Sequence, residues 1–195
     1  MHKLLLSAAL VATVGVGSAA SAQAIPGAII AVVDLDKVSN GCNACKTAAA
    51  TLRAQASSFE TRRQALAGPL QTEGKAIQAA VEALKGKEPD AALQARAKAW
   101  QTKQQQGAEE LQRQAQQIER NQAYVNQQVR DRLSTVYQPV MQRRGANVLV
   151  ESGTTLASSS SLDISNDVLA ALNAALPSLA TTAPAAPAQQ QPQGR

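Results

Sequence analysis

Histidine is almost missing from this 195-residue chain, the only one being His2. That removes the usual proton shuttle and the commonest metal ligand from everything beyond the first residues. Cysteine is scarce too: Cys42 and Cys45 stand alone, too few for a four-ligand zinc site. Aromatics make up 2% of the chain and never interleave with its basic residues, which argues against a nucleic-acid surface. There is no glycine-rich phosphate loop. Asp34 and Asp36 are paired carboxylates, but nothing near them completes an acid–base site. They better suit a chain reversal and a helix N-terminus. No catalytic residue, cofactor site or metal ligand is expected, and the chain reads as a non-enzyme.

Long apolar runs are also lacking, apart from Leu4 to Val16. That run follows the positive start Met1-His2-Lys3 and ends in the small residues Ser18-Ala19-Ala20-Ser21-Ala22. At about 13 residues it is too short to span a bilayer. It has the make-up of a secretory signal peptide, residues 1–22, cleaved after Ala22 or, on the Ala-Gln-Ala reading, after Ala24. The mature chain is expected to be soluble and exported.

What the sequence has is period. From Val38 to Leu84 a seam runs through Cys42, Cys45, Ala49, Leu52, Ala56, Phe59, Leu66, Leu70, Ile77 and Val81 or Ala80. From Leu93 to Val140 a second runs through Ala97, Trp100, Ala108, Leu111, Ala115, Ile118, Val125, Val129, Leu133 and Val136. Steps of three and four belong to supercoiled helices. The seams mirror each other about Gly86-Lys87-Glu88-Pro89. Leu84 meets Leu93, Ile77 meets Trp100, Leu66 meets Leu111, Phe59 meets Ile118 and Leu52 meets Val125. The pattern predicts a long antiparallel coiled-coil hairpin with arms of about 50 residues, or roughly 70–75 Å. Gly68-Pro69 should bend the first arm. Trp100, opposite Ile77, is better placed for packing than for stacking on a ligand.

Around the hairpin lie short elements. Ile29 to Asp34 reads as a strand, Ala146 to Glu151 as a second, and Thr154 to Ser158 as a weaker third. A last helix follows, with Ser165 as its N-cap and Val168, Leu169, Leu172 and Leu176 on its apolar face, and Pro177 stops it. The expected organisation is signal 1–22, head strand 23–38, arms 39–144 turning near 86–89, head 145–177, and a disordered Pro/Gln tail 178–195. The fold class is mainly α with a small β head. So small a head has open sheet edges, which an oligomer of identical chains would close.

Charge is unevenly spread. Without its signal the chain carries +4, while the stretch from Lys46 to Arg144 carries +7. Arg62, Arg63, Lys75, Lys85, Lys87, Arg96, Lys98 and Lys103 are the arm residues that could draw an anionic partner. A merely well-solvated helix surface explains them equally well. Cys42-Asn43-Ala44-Cys45 admits three readings: a structural disulfide within or between chains, reduced cysteines on the seam, or a redox pair. The last lacks any thioredoxin-like context.

Taken together, these residues resemble the OmpH/Skp family of periplasmic chaperones. The likeness is carried by the export signal, the strand Ile30 to Asp34 ahead of the first helix, and the long charged hairpin. It continues through Ala146-Asn147-Val148-Leu149-Val150 to Leu162-Asp163-Ile164-Ser165-Asn166-Asp167-Val168-Leu169, which is similar to the family's Asp-Ile-Thr-x-x-Val/Ile-Leu ending. The resemblance implies a homotrimer whose heads form a small β-barrel and whose hairpins surround a cavity. It implies an ATP-independent periplasmic holdase for unfolded outer-membrane β-barrel proteins, with anionic lipid or lipopolysaccharide as further partners that the charge would suit. The Cys-x-x-Cys and the Pro/Gln tail depart from that pattern. The competing reading is an exported coiled-coil spacer that binds something at the envelope and holds no client.

Overall fold

The computed structural model describes residues 26–185; the expected signal peptide, its cleavage position and tail residues 186–195 lie outside the described residues. Strand β1 (Ile30–Val33) leads into the short helix α1 (Leu35–Gly41) and then the first arm, α2 (Asn43–Ala83). The second arm, α3 (Ala91–Arg143), returns to β2 (Val148–Glu151), and α4 (Ser165–Ala175) closes the head. At 1.5 Å per residue the arms are about 60 Å and about 80 Å long. Among the described residues, no helix is long and apolar enough to cross a membrane.

The head core gathers every element that reaches the base of the hairpin. Ala31 and Val33 of β1, Val38 of α1, Val136 and Val140 of α3, and Val168 and Leu172 of α4 are all buried in one cluster. β1 and β2 pair in parallel, Ile30 opposite Val148 and Ala31 opposite Leu149. Residues on a strand alternate between faces. Ala31, Val33 and Leu149 therefore face the helices, while Ile30 and Val148 stand on the other side, 45% and 38% exposed. Asn147 pins the chain entering β1: its amide accepts from Ile29 N at 2.7 Å and donates to Gly27 O at 2.9 Å. Asp34 caps α1, its carboxylate accepting from Lys37 N at 2.8 Å.

The hairpin forms as its period dictates, but its packing is uneven. Near the head, Ala48, Leu52 and Val125 are buried together. Farther out two helices cannot cover each other's flanks, and Phe59, Leu66, Leu70 and Leu111 stay half-exposed. The buried positions also slip by one in places: Ala44, Ala48 and Gly107 are covered, whereas Cys45, Ala49 and Ala108 are less so. Leu66 and Leu70 lie within 4.0 Å of where a side chain on Gly107 would begin. Trp100 lies over Gly74, and its indole N–H donates to Leu70 O at 2.8 Å. The turn carries Lys85 and Gly86 at φ 48° and 89°, and Asp90 caps α3 by accepting from Leu93 N at 2.8 Å.

α2 continues as helix through Pro69, where a bend without loss of phase is expected, and α3 likewise contains Pro139. The residues four back, Ala65 and Thr135, are exposed, so water can take the carbonyl each proline leaves without a donor. Other expectations change: the first arm is broken at Cys42, whose φ −64° and ψ 120° separate α1 from α2. No strand forms over 154–158; Ser152–Thr154 is a 3-10 turn, and the third line of pairing is a single bridge from Val32 to Asp163. Ser165 is the first residue of α4 and fully buried, not its cap. Its hydroxyl donates to the Asp163 carboxylate and accepts from Asp34 N at 2.8 Å, joining α4 to the end of β1. Asp163 is held below its ordinary pKa chiefly by that hydroxyl and by Ser165 N–H, with Lys37 assisting.

Cys42 and Cys45 are joined as an intrachain disulfide. Cys42 is buried, and its sulfur also accepts from Cys45 N at 3.2 Å, capping α2. Closing so short a loop contributes about 2 kcal/mol in the chain-entropy account. Cys42→Ala should lose that and the cap, whereas Cys42→Ser keeps an oxygen able to cap. Urea unfolding should rank wild type above Cys42→Ser above Cys42→Ala. With reductant the first gap should close, and a gap unchanged by reductant would remove the disulfide from the account.

Candidate functional site

Two faces of the hairpin base differ. On one, an open cleft of about 700 Å³ runs from α1 up the arms, with Leu52, Ile118, Val125, Val129 and Leu133 in its wall. Cys45, the more exposed half of the disulfide, lies at its lower end. A second recess of about 470 Å³ lies farther out, between Leu66, Pro69, Leu70 and Trp100. Trp100 thus packs over Gly74 and still shows an edge to the recess.

The other face is covered by residues 178–183, part of the stretch expected to be disordered from 178. Leu179 packs against both apolar clusters. Gln128 pairs with the backbone of Ala180, donating to its carbonyl at 2.9 Å and accepting from its N–H at 3.1 Å. Gln55 donates to Thr181 O at 3.2 Å, and Ala183 N donates to Asn121 at 2.8 Å. Asn121, 4% exposed, also donates to Gln55 Oε1 at 2.9 Å and accepts from Gln117 at 2.7 Å, so side-chain amides link the arms. The apolar pattern of the sequence singled out none of these amides. The only hint of their role was amides standing next to a seam that is otherwise apolar.

The candidate basic residues divide into two groups. Arg62 pairs with Glu110 and Arg96 with Glu73 across the arms, at 2.7 and 2.6 Å; Arg63 pairs with Glu60 on its own helix at 2.6 Å. Among the described residues, Lys75, Lys85, Lys87, Lys98 and Lys103 make no ion pair. Hydrogen bonds from the arginines hold Glu73 and Glu110 below the ordinary value of 4.5. A lowered carboxylate pKa gives stability that is complete above the ordinary value and is lost as pH falls through the lower one. Spin labels placed on the two arm tips should therefore show a wider distance distribution only below about pH 4.5. Widening between pH 8 and 6 would contradict it. Among the described residues, no three His, Cys, Asp or Glu side chains converge to hold a metal.

Residues 29–172 match a protein-family profile described as outer membrane protein (OmpH-like). Among solved structures the fold is similar to that of a candidate outer membrane chaperone (OmpH-like) from Caulobacter crescentus. The two share 24% identity over 80% of this chain and 89% of that one, with a TM-score of 0.61. No curated protein sequence matches the chain.

Proposed function

We propose, for a chain that belongs to the OmpH-like outer membrane protein family, that three copies join through their heads as one exported holdase chaperone. The trimer holds unfolded outer-membrane β-barrel proteins between its arms, in the periplasm and without ATP. The observation that carries this reading is the apolar pair Ile30 and Val148, side by side and exposed on the face of the sheet turned from the helices, where only Val32 farther along is already covered. Parallel sheets are almost always covered on both faces, and two strands are too few to stand alone. Copies of the chain would cover that face and the free edge of β2, closing a barrel-like head. Three hairpins would then enclose a cavity.

The arms suit that task. Their half-exposed apolar seam offers places to a client's apolar side chains, and the five unpaired lysines favour acidic client segments. The same charge suits anionic lipid or lipopolysaccharide. Light scattering of the mature protein should give the mass of three chains with and without reductant. The same sample should suppress aggregation of a urea-unfolded β-barrel protein at about one trimer per client, less well at high salt. A monomer without suppression would leave an envelope spacer as the better account.

A further inference from the structure

The hydrogen bonds that hold residues 179–183 do not depend on their side chains. Every hydrogen bond from the arms to them reaches main chain: Ala180 through both its N–H and its C=O, Thr181 through its C=O, and Ala183 through its N–H. The segment also alternates. Leu179, Thr181 and Ala183 turn partly inward, whereas Ala180, Thr182 and Pro184 are exposed. An extended chain presents side chains with this period of two. Part of the receptor is held by the arms themselves, since Gln55 and Gln117 fix the Asn121 amide without the tail.

We propose that Gln55, Asn121 and Gln128 form a binding site for extended polypeptide backbone, filled in this chain by its own residues 179–183 and opened to a client segment when these leave. The site fits a strand of alternating apolar and polar residues, the pattern of an unfolded outer-membrane β-barrel strand. In this the proposal rests on the client-holding reading above. Leu179 marks the apolar place, and the amides fix direction and register as a neighbouring strand would. Because the occupant is tethered, its effective concentration is on the order of millimolar, and a competitor has to exceed it. The tail thus sets a threshold for access to this face of the arms.

The test uses a fluorescent peptide with the sequence of residues 177–185, the full chain, and a chain ending at Ser178. Anisotropy should show the shortened chain binding the peptide at least about tenfold more tightly than the full chain. Adding Gln128→Ala to the shortened chain should remove that gain. In the full chain, hydrogen exchange should find the Ala180 and Ala183 amides protected, and Gln128→Ala should expose Ala180; this arm does not need the shortened chain to fold. Equal binding by both chains, or unprotected amides, would overturn the proposal. Peptide binding without suppression of β-barrel aggregation would uphold the site and sink the client-holding reading. Suppression without peptide binding would do the reverse.

Discussion

Leu172→Ala should remove about 2–5 kcal/mol of stability, a large share of what a domain of this kind possesses. Leu172 is fully buried on α4, among Val38 of α1, Val140 of α3 and Val168 of its own helix. Truncation there loses the transfer energy of the leucine and leaves a void that three different elements would have to move to fill. Because the root of α3 belongs to this core, the loss should loosen the foot of the hairpin as well as the head. The control is the same substitution at Leu156, which is fully exposed in the single chain. It should change stability by no more than about 0.5 kcal/mol. Both belong in thermal or urea unfolding at one protein concentration, since assembly makes the midpoint concentration-dependent. A loss under about 1 kcal/mol for Leu172→Ala would mean that the core re-forms around a smaller residue. A large loss for Leu156→Ala would show that the assembly covers it.

The features read correctly from sequence are those written in apolar side chains. Leu52 with Val125, and Val168 with Leu172 and Leu176, recur at helical spacing because burial selects them one residue at a time. The Gly86–Pro89 breaker and the capping role of Asp34 likewise leave residue-level marks. The break at Cys42 left none, since one extended residue between α1 and α2 barely disturbs the apolar phase. Ser165 looked like a cap because serine often is one; its burial depends on β1 and Asp163, which are distant in sequence. The tail was the largest omission. Residues 179–183 dock through their backbone onto Gln55, Asn121 and Gln128. Patterns of apolar residues cannot show an interaction whose energy lies in main-chain hydrogen bonds. Three of the basic residues chosen as partner-facing are committed to carboxylates: Arg62 and Arg96 across the arms, which needs a register finer than charge counting provides, and Arg63 to Glu60 on its own helix, at a spacing the sequence did show.

Val148→Asp should reduce the assembly to single chains while leaving each chain folded. Val148 lies on the face of the sheet turned from the core, so the monomer loses little beyond the lower strand preference of aspartate, about 1 kcal/mol at most. In the proposed trimer the same position is covered by neighbouring chains. Burying an unpaired carboxylate there costs several kcal/mol, and three-fold symmetry repeats the cost three times around one axis. Light scattering should then give one third of the wild-type mass, with helical circular dichroism unchanged. Suppression of β-barrel aggregation should fall with it, because a lone hairpin encloses nothing. Val81→Asp is the matched comparison: Val81 is 46% exposed on the first arm, far from the sheet. Its variant should keep the wild-type mass. If Val148→Asp also keeps it, the sheet face is not where the copies meet. If the mass falls but suppression persists, the arms hold clients without a shared cavity, and the groove on each hairpin becomes the place to look for them.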